Sequence, residues 1–192
     1  MKKNEISEAL EPVIKTLDEL NIPYCISGSL ASSAYGFARA TLDVDIVINI
    51  GLHHINPLIS GLEKKFYVDP EMISNAFKRK SFFNILHLKS MLKIDFFVST
   101  NDSYSDKIFE RRIKDKLQDE ADSIEIYLIS PEDIILNKLV WYKFGGKVSE
   151  KQWADVIGVL KIQGKDLDMK YLKKWAEHLN VQELLKKAYS ES

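Results

Sequence analysis

Apolar positions recur at helical spacing near the start of the chain. Ile6, Leu10, Val13, Ile14, Leu17 and Leu20, with acidic residues between them, predict an amphipathic helix over residues 5–20. Asn21 and Pro23 end it. The run Tyr24-Cys25-Ile26 reads as a short buried strand closed by Gly28, and the small residues that follow, up to Gly36, read as one or two helical turns. Residues 37–42, FARATL, read as a loop. From residue 43 to 50 the period changes to two. Val44, Ile46 and Ile48 take one face of a strand, and Asp43, Asp45 and Val47 take the other.

Ile55, Leu58, Ile59 and Leu62 predict a helix over residues 55–65, followed by a brief strand, FYVD, and a short helix that opens at Pro70 and Glu71. SFFNILHL and MLKIDFFV are strand-like runs with only a few residues between them, which predicts an antiparallel hairpin. Residues 103–117 read as an exposed helix and SIEIYLIS as another strand. Past Ser130 every segment has a helical period. Ser130 is the expected N-cap ahead of Pro131, with Ile134, Ile135, Leu139 and Tyr142 on one side of the helix. Ser149 opens the next helix, which closes before Gly164, and two shorter ones near 168–178 and 181–189 follow. The pattern predicts an α/β part over residues 1–129 and a helical part over residues 130–192, without internal repeats.

Composition narrows the function classes. The 192 residues are 45% hydrophobic and 29% charged, which excludes disordered and collagen-like chains and allows a real core. The net charge of −1 gives no global attraction to nucleic acid or to a membrane surface, so a charged substrate must be held by a local site. The single cysteine, Cys25, cannot form an internal disulfide and reads as a small buried residue. No apolar run approaches the ~20 residues of a membrane span, and the two N-terminal lysines are followed by acids rather than by a signal segment. The expectation is a cytoplasmic protein with no membrane partner.

The residues that carry chemistry are Gly28-Ser29 and, after thirteen intervening residues, Asp43-Val44-Asp45. A strand that ends in Gly-Ser and turns into a helix presents backbone N–H groups to a phosphate at the helix N-terminus. Two carboxylates two apart on a strand share a face and together suit Mg²⁺, a hard cation that favours carboxylates and substrate phosphates. Asp95 sits between Ile94 and Phe96, where an acid is costly unless it is paired or bound to metal. If its strand lies beside residues 43–50, the three acids converge on a two-metal phosphoryl-transfer site, with Asp95 as ligand of the catalytic metal and proton acceptor. Two rival uses of Asp43-x-Asp45 fail: FARATL is not the apolar strand that leads into a haloacid-dehalogenase aspartate, and Asn49 and Gly51 do not fit an EF-hand loop. Phe82, Phe83, Phe96 and Phe97 read as core, Trp141, Trp153 and Trp175 as packing of the helical part, His53 and His54 as surface, and Lys78-Arg79-Lys80 as a solvated run.

Gly28-Ser29, Asp43-x-Asp45 and Asp95, in that order and spacing, resemble the DNA polymerase beta-like nucleotidyltransferase superfamily. Arg39-Ala40-Thr41 looks like the R-x-T segment that precedes the acid pair in its small bacterial members, SPEDIILNKLVWY with Lys138 looks like their lysine helix, and Trp153-Ala154-Asp155 looks like the acid-bearing helix behind it. The nearest likeness is to toxin-type nucleotidyltransferases of the AbiEii kind, over about residues 22–160. The resemblance implies an α/β (α+β) fold with a small mixed sheet, a C-terminal helical extension, and the nucleotide in the cleft between them. It implies transfer of a nucleoside monophosphate from an NTP, with ATP expected, to an acceptor hydroxyl. Asp43, Asp45 and Asp95 would bind Mg²⁺ or Mn²⁺. Gly28, Ser29, Arg39, Thr41 and Lys138 would hold the nucleotide, with Asp155 structural. The acceptor is open between a small molecule, a tRNA and a protein, and the toxin-type likeness brings an antitoxin as a partner to expect. The alternative is a module that keeps the fold and binds a nucleotide or a partner without turnover.

Overall fold

The computed structural model describes residues 3–41, 43–117 and 123–192, so Leu42, the last residue of the predicted FARATL loop, and Lys2, the first of the two N-terminal lysines, lie outside the described residues. The chain divides into two compact units, Met1–Ile26 with Ala40–Leu128, and Ser27–Arg39 with Ile129–Ser192.

The first unit is built on a mixed sheet. Its strands are β1 (Tyr24–Ser27), β2 (Asp43–Ile48), β3 (Phe66–Tyr67), β4 (Phe82–His87), β5 (Lys93–Val98), β6 (Ile113–Lys116) and β7 (Glu125–Leu128). Their order across the sheet is β3-β4-β5-β2-β1-β7-β6. β2 pairs with β5 and β1 with β7 in parallel, whereas β3–β4, β4–β5 and β6–β7 are antiparallel. The helices α1 (Lys3–Glu19), α3 (Ile55–Leu62), α4 (Pro70–Arg79) and α5 (Ser103–Arg111) belong to this unit. The predicted alternation in β2 is borne out: Val44, Ile46 and Ile48 are buried, while Asp43 is exposed and Asp45 and Val47 are half-buried. Cys25 is buried as expected. Phe83 and Phe96 stack in the core with ring centroids 4.9 Å apart. Phe82, expected there too, is 56% exposed.

One element differs from the prediction. The helix expected over 103–117 stops at Arg111, and residues 113–116 form β6, which pairs antiparallel with β7 from Ile113↔Leu128 to Lys116↔Glu125. All four residues of β6 are exposed. The segment therefore carries no apolar alternation, and its strand conformation comes from the partner's backbone, which a local pattern does not contain.

The second unit is helical: α2 (Gly28–Tyr35), α6 (Pro131–Phe144), α7 (Glu150–Gln163), α8 (Met169–His178) and α9 (Gln182–Glu191). Ser130 and Ser149 cap α6 and α7 as predicted, accepting bonds from Asp133 N and Gln152 N. The first turn of α6 carries two buried acids that the apolar pattern does not reveal. Asp133 accepts from Ser130 Oγ at 2.7 Å and from Tyr171 Oη at 2.8 Å, and Glu132 accepts from the backbone N–H of Asp168 at 2.8 Å. Trp175 packs inside, whereas Trp141, expected to pack, is 54% exposed.

Helix α2 lies tightly on α7. A Cβ at Gly36 would stand 2.9 Å from Val159 N and 3.0 Å from both Gly158 C and Ser32 O, all of them backbone atoms that cannot swing aside. Gly36→Ala is therefore expected to lower the unfolding free energy by about 1–3 kcal/mol. A urea midpoint equal to that of the wild type would contradict this packing.

Candidate functional site

The parallel register of β2 and β5 places Asp43 opposite Lys93 and Asp45 opposite Asp95. Paired positions share a face, so Asp43, Asp45, Lys93 and Asp95 stand on one side of the sheet. The β4–β5 hairpin adds Asn84 opposite Asp95. β2 and β5 are neighbours, which is the condition on which the predicted convergence of the three acids rested. The predicted cost of an acid in an apolar strand is also visible: Asp95 is 9% exposed, and its charge is matched.

The match is Lys93, which the sequence reading did not single out. Lys93 Nζ lies 2.7 Å from Asp95 Oδ2 and 3.9 Å from Asp43 Oδ1. The hydrogen bond to Asp95 raises the lysine above its ordinary value despite partial desolvation, and the charges of Asp95, Asp43 and Asp45 add to it. A signal existed: Lys93 precedes Asp95 by two residues, so period two puts them on one face. Thr41 Oγ1 donates to the carbonyl of Asp43 at 2.9 Å and holds the entry into β2.

The other predicted residues belong to the second unit. Gly28 begins α2 with φ +60°, a left-handed conformation that favours glycine. The side chain of Ser27 makes no capping bond there, so no side chain of that residue competes for the first N–H groups of the helix. Ser29 Oγ accepts from Arg39 Nη2. Arg39 also grips Asp155 as a fork, Nε to Oδ1 and Nη2 to Oδ2, each at 2.8 Å. Lys138 Nζ is 2.7 Å from Asp155 Oδ2 and donates to Gln152 Oε1 at 3.1 Å. Lys138 is 4% exposed and Asp155 8%. Burial pushes the Asp155 carboxyl up, but the bonds from Arg39 and Lys138 outweigh it and hold the group below its ordinary value. Arg39 and Lys138, separate in the sequence, are thus joined through one aspartate, and Ser29 joins them through Arg39.

Carboxylate oxygens fit a hard divalent cation in kind. In spacing they stop short: among the described residues no three His, Cys, Asp or Glu side chains gather as metal ligands. The described residues also contain no helix long and apolar enough to cross a membrane.

No known family profile matches the chain, and no curated protein does. Solved structures do. The solution structure of the antibiotic-resistance factor ANT(2'')-Ia aligns over 99% of this chain and 96% of its own, with a TM-score of 0.55 and 12% identity. The fold is that of the nucleotidyltransferases. The crystal structure of ANT(2'')-Ia in complex with adenylyl-2''-tobramycin gives a TM-score of 0.56 at 12% identity, over 92% of this chain and 97% of that one. An antigenic nucleotidyltransferase-like protein from Paracoccidioides brasiliensis gives 0.53 at 18% identity, over 98% and 92%. At such identities the likeness establishes the architecture, and the chemistry has to be argued from the side chains.

Proposed function

We propose that this chain transfers a nucleoside monophosphate from an NTP to an acceptor hydroxyl. The observation that carries the reading is the register Asp45↔Asp95 on neighbouring parallel strands, with Asp43 on the same face, in a nucleotidyltransferase fold. The acceptor oxygen attacks the α-phosphorus, the bond from that phosphorus to the α,β-bridging oxygen breaks, and pyrophosphate leaves with the electron pair. The hydroxyl proton passes to the Asp95 carboxylate. Asp43, Asp45 and Asp95 are the residues whose carboxylates would have to close on Mg²⁺ or Mn²⁺, since in this structure they do not gather as ligands. Such an ion, when bound, neutralises phosphate charge and lowers the pKa of the attacking hydroxyl.

The remaining residues neutralise and position. The N–H groups that open α2 at Gly28, with the Ser29 hydroxyl, suit the β- and γ-phosphate oxygens. Arg39 and Lys138 supply positive charge, and their common anchor on Asp155 fixes them before substrate arrives, which is where phosphoryl transfer gains most of its rate. Thr41 keeps the strand of Asp43 and Asp45 in place. ATP is the donor we favour, and a cytoplasmic setting goes with it. An aminoglycoside hydroxyl is the first acceptor to assay, because the ANT(2'')-Ia crystal structure holds adenylyl-2''-tobramycin. A protein or tRNA hydroxyl, with an antitoxin as partner, follows from the toxin-type likeness. The second reading, a module without turnover, draws on Lys93, whose ammonium already occupies the carboxylate assigned as proton acceptor.

A melting screen of the four NTPs with and without Mg²⁺ tests the reading. A triphosphate present at a hundred times its Kd should stabilise the wild type by about 2.7 kcal/mol. The gain should need both metal and triphosphate and should vanish in Asp45→Ala. Stabilisation without pyrophosphate release from any acceptor mixture would favour the module. No response to any NTP would overturn the nucleotide reading.

A further inference from the structure

We propose that a small cavity at the start of β1 binds a zwitterion of the α-amino-acid kind, its ammonium on Asp18 and its carboxylate on Arg112. The cavity lies within the first unit, and the inference stands apart from the nucleotidyltransferase reading. Tyr24 opens β1 at the end away from Gly28, and the cavity beside it measures about 220 Å³. Leu17, Ile22 and Pro23 give it apolar walls, and Asp18 and Arg112 are among its lining residues. A tight turn after α1 fixes the rim. Asn21, at φ +52°, donates its N–H to the Asp18 carbonyl at 3.0 Å, and Ile22 donates to the Leu17 carbonyl at 2.8 Å.

Two observations point to a ligand. Tyr24 is 2% exposed, and its buried hydroxyl has no hydrogen-bond partner. The Tyr127 backbone faces that oxygen without completing a bond. Buried hydroxyls are nearly always paired, so an orphan marks a place where a partner belongs. The second observation is a pair of opposite charges left apart. Burial pushes the Asp18 carboxyl up and the Arg112 charge draws it back, so the two face each other, yet no ion pair closes between them. The Arg112 guanidinium lies 4.3 Å over the Tyr127 ring, and its N–H groups have no acceptor among the described residues. The last turn of α1 holds no basic residue, so the negative end of the helix adds to Asp18.

This pattern selects its occupant. A simple anion is repelled by Asp18 and a simple cation by Arg112, whereas a ligand carrying both charges matches both walls. An uncharged nucleobase edge reaches both groups but leaves their charges unneutralised. The cavity is also smaller than the roughly 300 Å³ at which sites for drug-sized ligands begin, which excludes a nucleotide. Burial and the Asp18 charge keep the Tyr24 hydroxyl protonated, and Tyr127 packs edge-on against its ring at 5.7 Å. The hydroxyl therefore favours a ligand side chain that ends in a hydroxyl or an amide.

The test is calorimetric titration of the full chain with each of the protein L-amino acids. Serine, threonine, asparagine or glutamine should bind saturably. The N-acetyl derivative of the amino acid that binds, which is an anion, and its α-amide, which is a cation, should not. Arg112→Gln and Asp18→Asn should each weaken the zwitterion by roughly tenfold or more, since each removes a charge-assisted bond. Both residues stand at the rim, so the melts of these variants without ligand should match the wild type. Tyr24→Phe should keep the fold and lose the preference for a polar side chain. If no amino acid binds the wild type, the inference is overturned. Binding of the N-acetyl form or the amide as tight as that of the zwitterion would overturn it too. So would a saturable amino acid whose affinity is unchanged in both rim variants, or binding of free nucleobases alone.

Discussion

Asp45→Ala is expected to reduce nucleotidyl transfer by about a thousandfold or more while leaving the fold intact, because positioning and charge neutralisation carry most of the rate in phosphoryl transfer. Asp45 is the middle carboxylate of its face, directly opposite Asp95 across the β2–β5 pair. No other acid stands in register with Asp95 on β2, and Asp43 is one pleat away beside Lys93. The stability cost is small for a separate reason. Asp45 is half-buried, and like charges directly opposite each other on neighbouring strands are destabilising, so the relief of repulsion against Asp95 offsets the lost attraction to Lys93. The melt should therefore stay at the wild-type temperature or rise slightly. Asp45→Asn, which keeps shape and loses charge, should behave the same way in both assays. Full activity in either variant, measured as labelled nucleotide transferred, would remove Asp45 from the chemistry. A collapsed melt would mean that the residue supports the fold instead.

The two halves of this chemistry were unequally legible in the sequence. Gly28-Ser29 and Asp43-x-Asp45 are local, and the period-two pattern of β2 already separated its acids from its apolar face. The β4–β5 hairpin was equally local, because only a short turn joins its strands. The parallel pairing of β2 with β5 was not, because register between strands about fifty residues apart leaves no periodic trace. It entered only as a condition, and on it hung the convergence of Asp45 with Asp95. Lys93 was within reach by the same alternation that placed Asp95, but lysine in a strand reads as solvated until a neighbour is known. Strand β6 was hidden because nothing in it is buried. The fork from Arg39 to Asp155 spans 116 residues of sequence, and no local rule joins such positions.

Removing that junction should cost the most stability. Asp155→Ala leaves the nearly buried Lys138 without its carboxylate and Arg39 without its fork, and breaking a buried ion pair by deleting one partner costs about 3–5 kcal/mol. The desolvation of Lys138 is the source of the penalty, so taking both charges away should recover much of it. A double variant, Asp155→Leu with Lys138→Met, is therefore expected to unfold at higher urea than Asp155→Ala alone. The sign of the pH dependence follows from the same contacts. Arg39 and Lys138 overcome burial and hold the Asp155 carboxyl below its ordinary value of 3.8. A carboxyl depressed in the folded state contributes its full stability above the unfolded value and loses it as pH falls through the lower, folded value. The gap between wild type and Asp155→Ala should accordingly be flat from neutral pH down to about pH 5 and narrow as pH falls below about 4. A gap that widens on acidification would show that the carboxyl is not held ionised by its two cations. A single variant as stable as the wild type would show that Lys138 finds another partner, and would free Asp155 from the role of anchor.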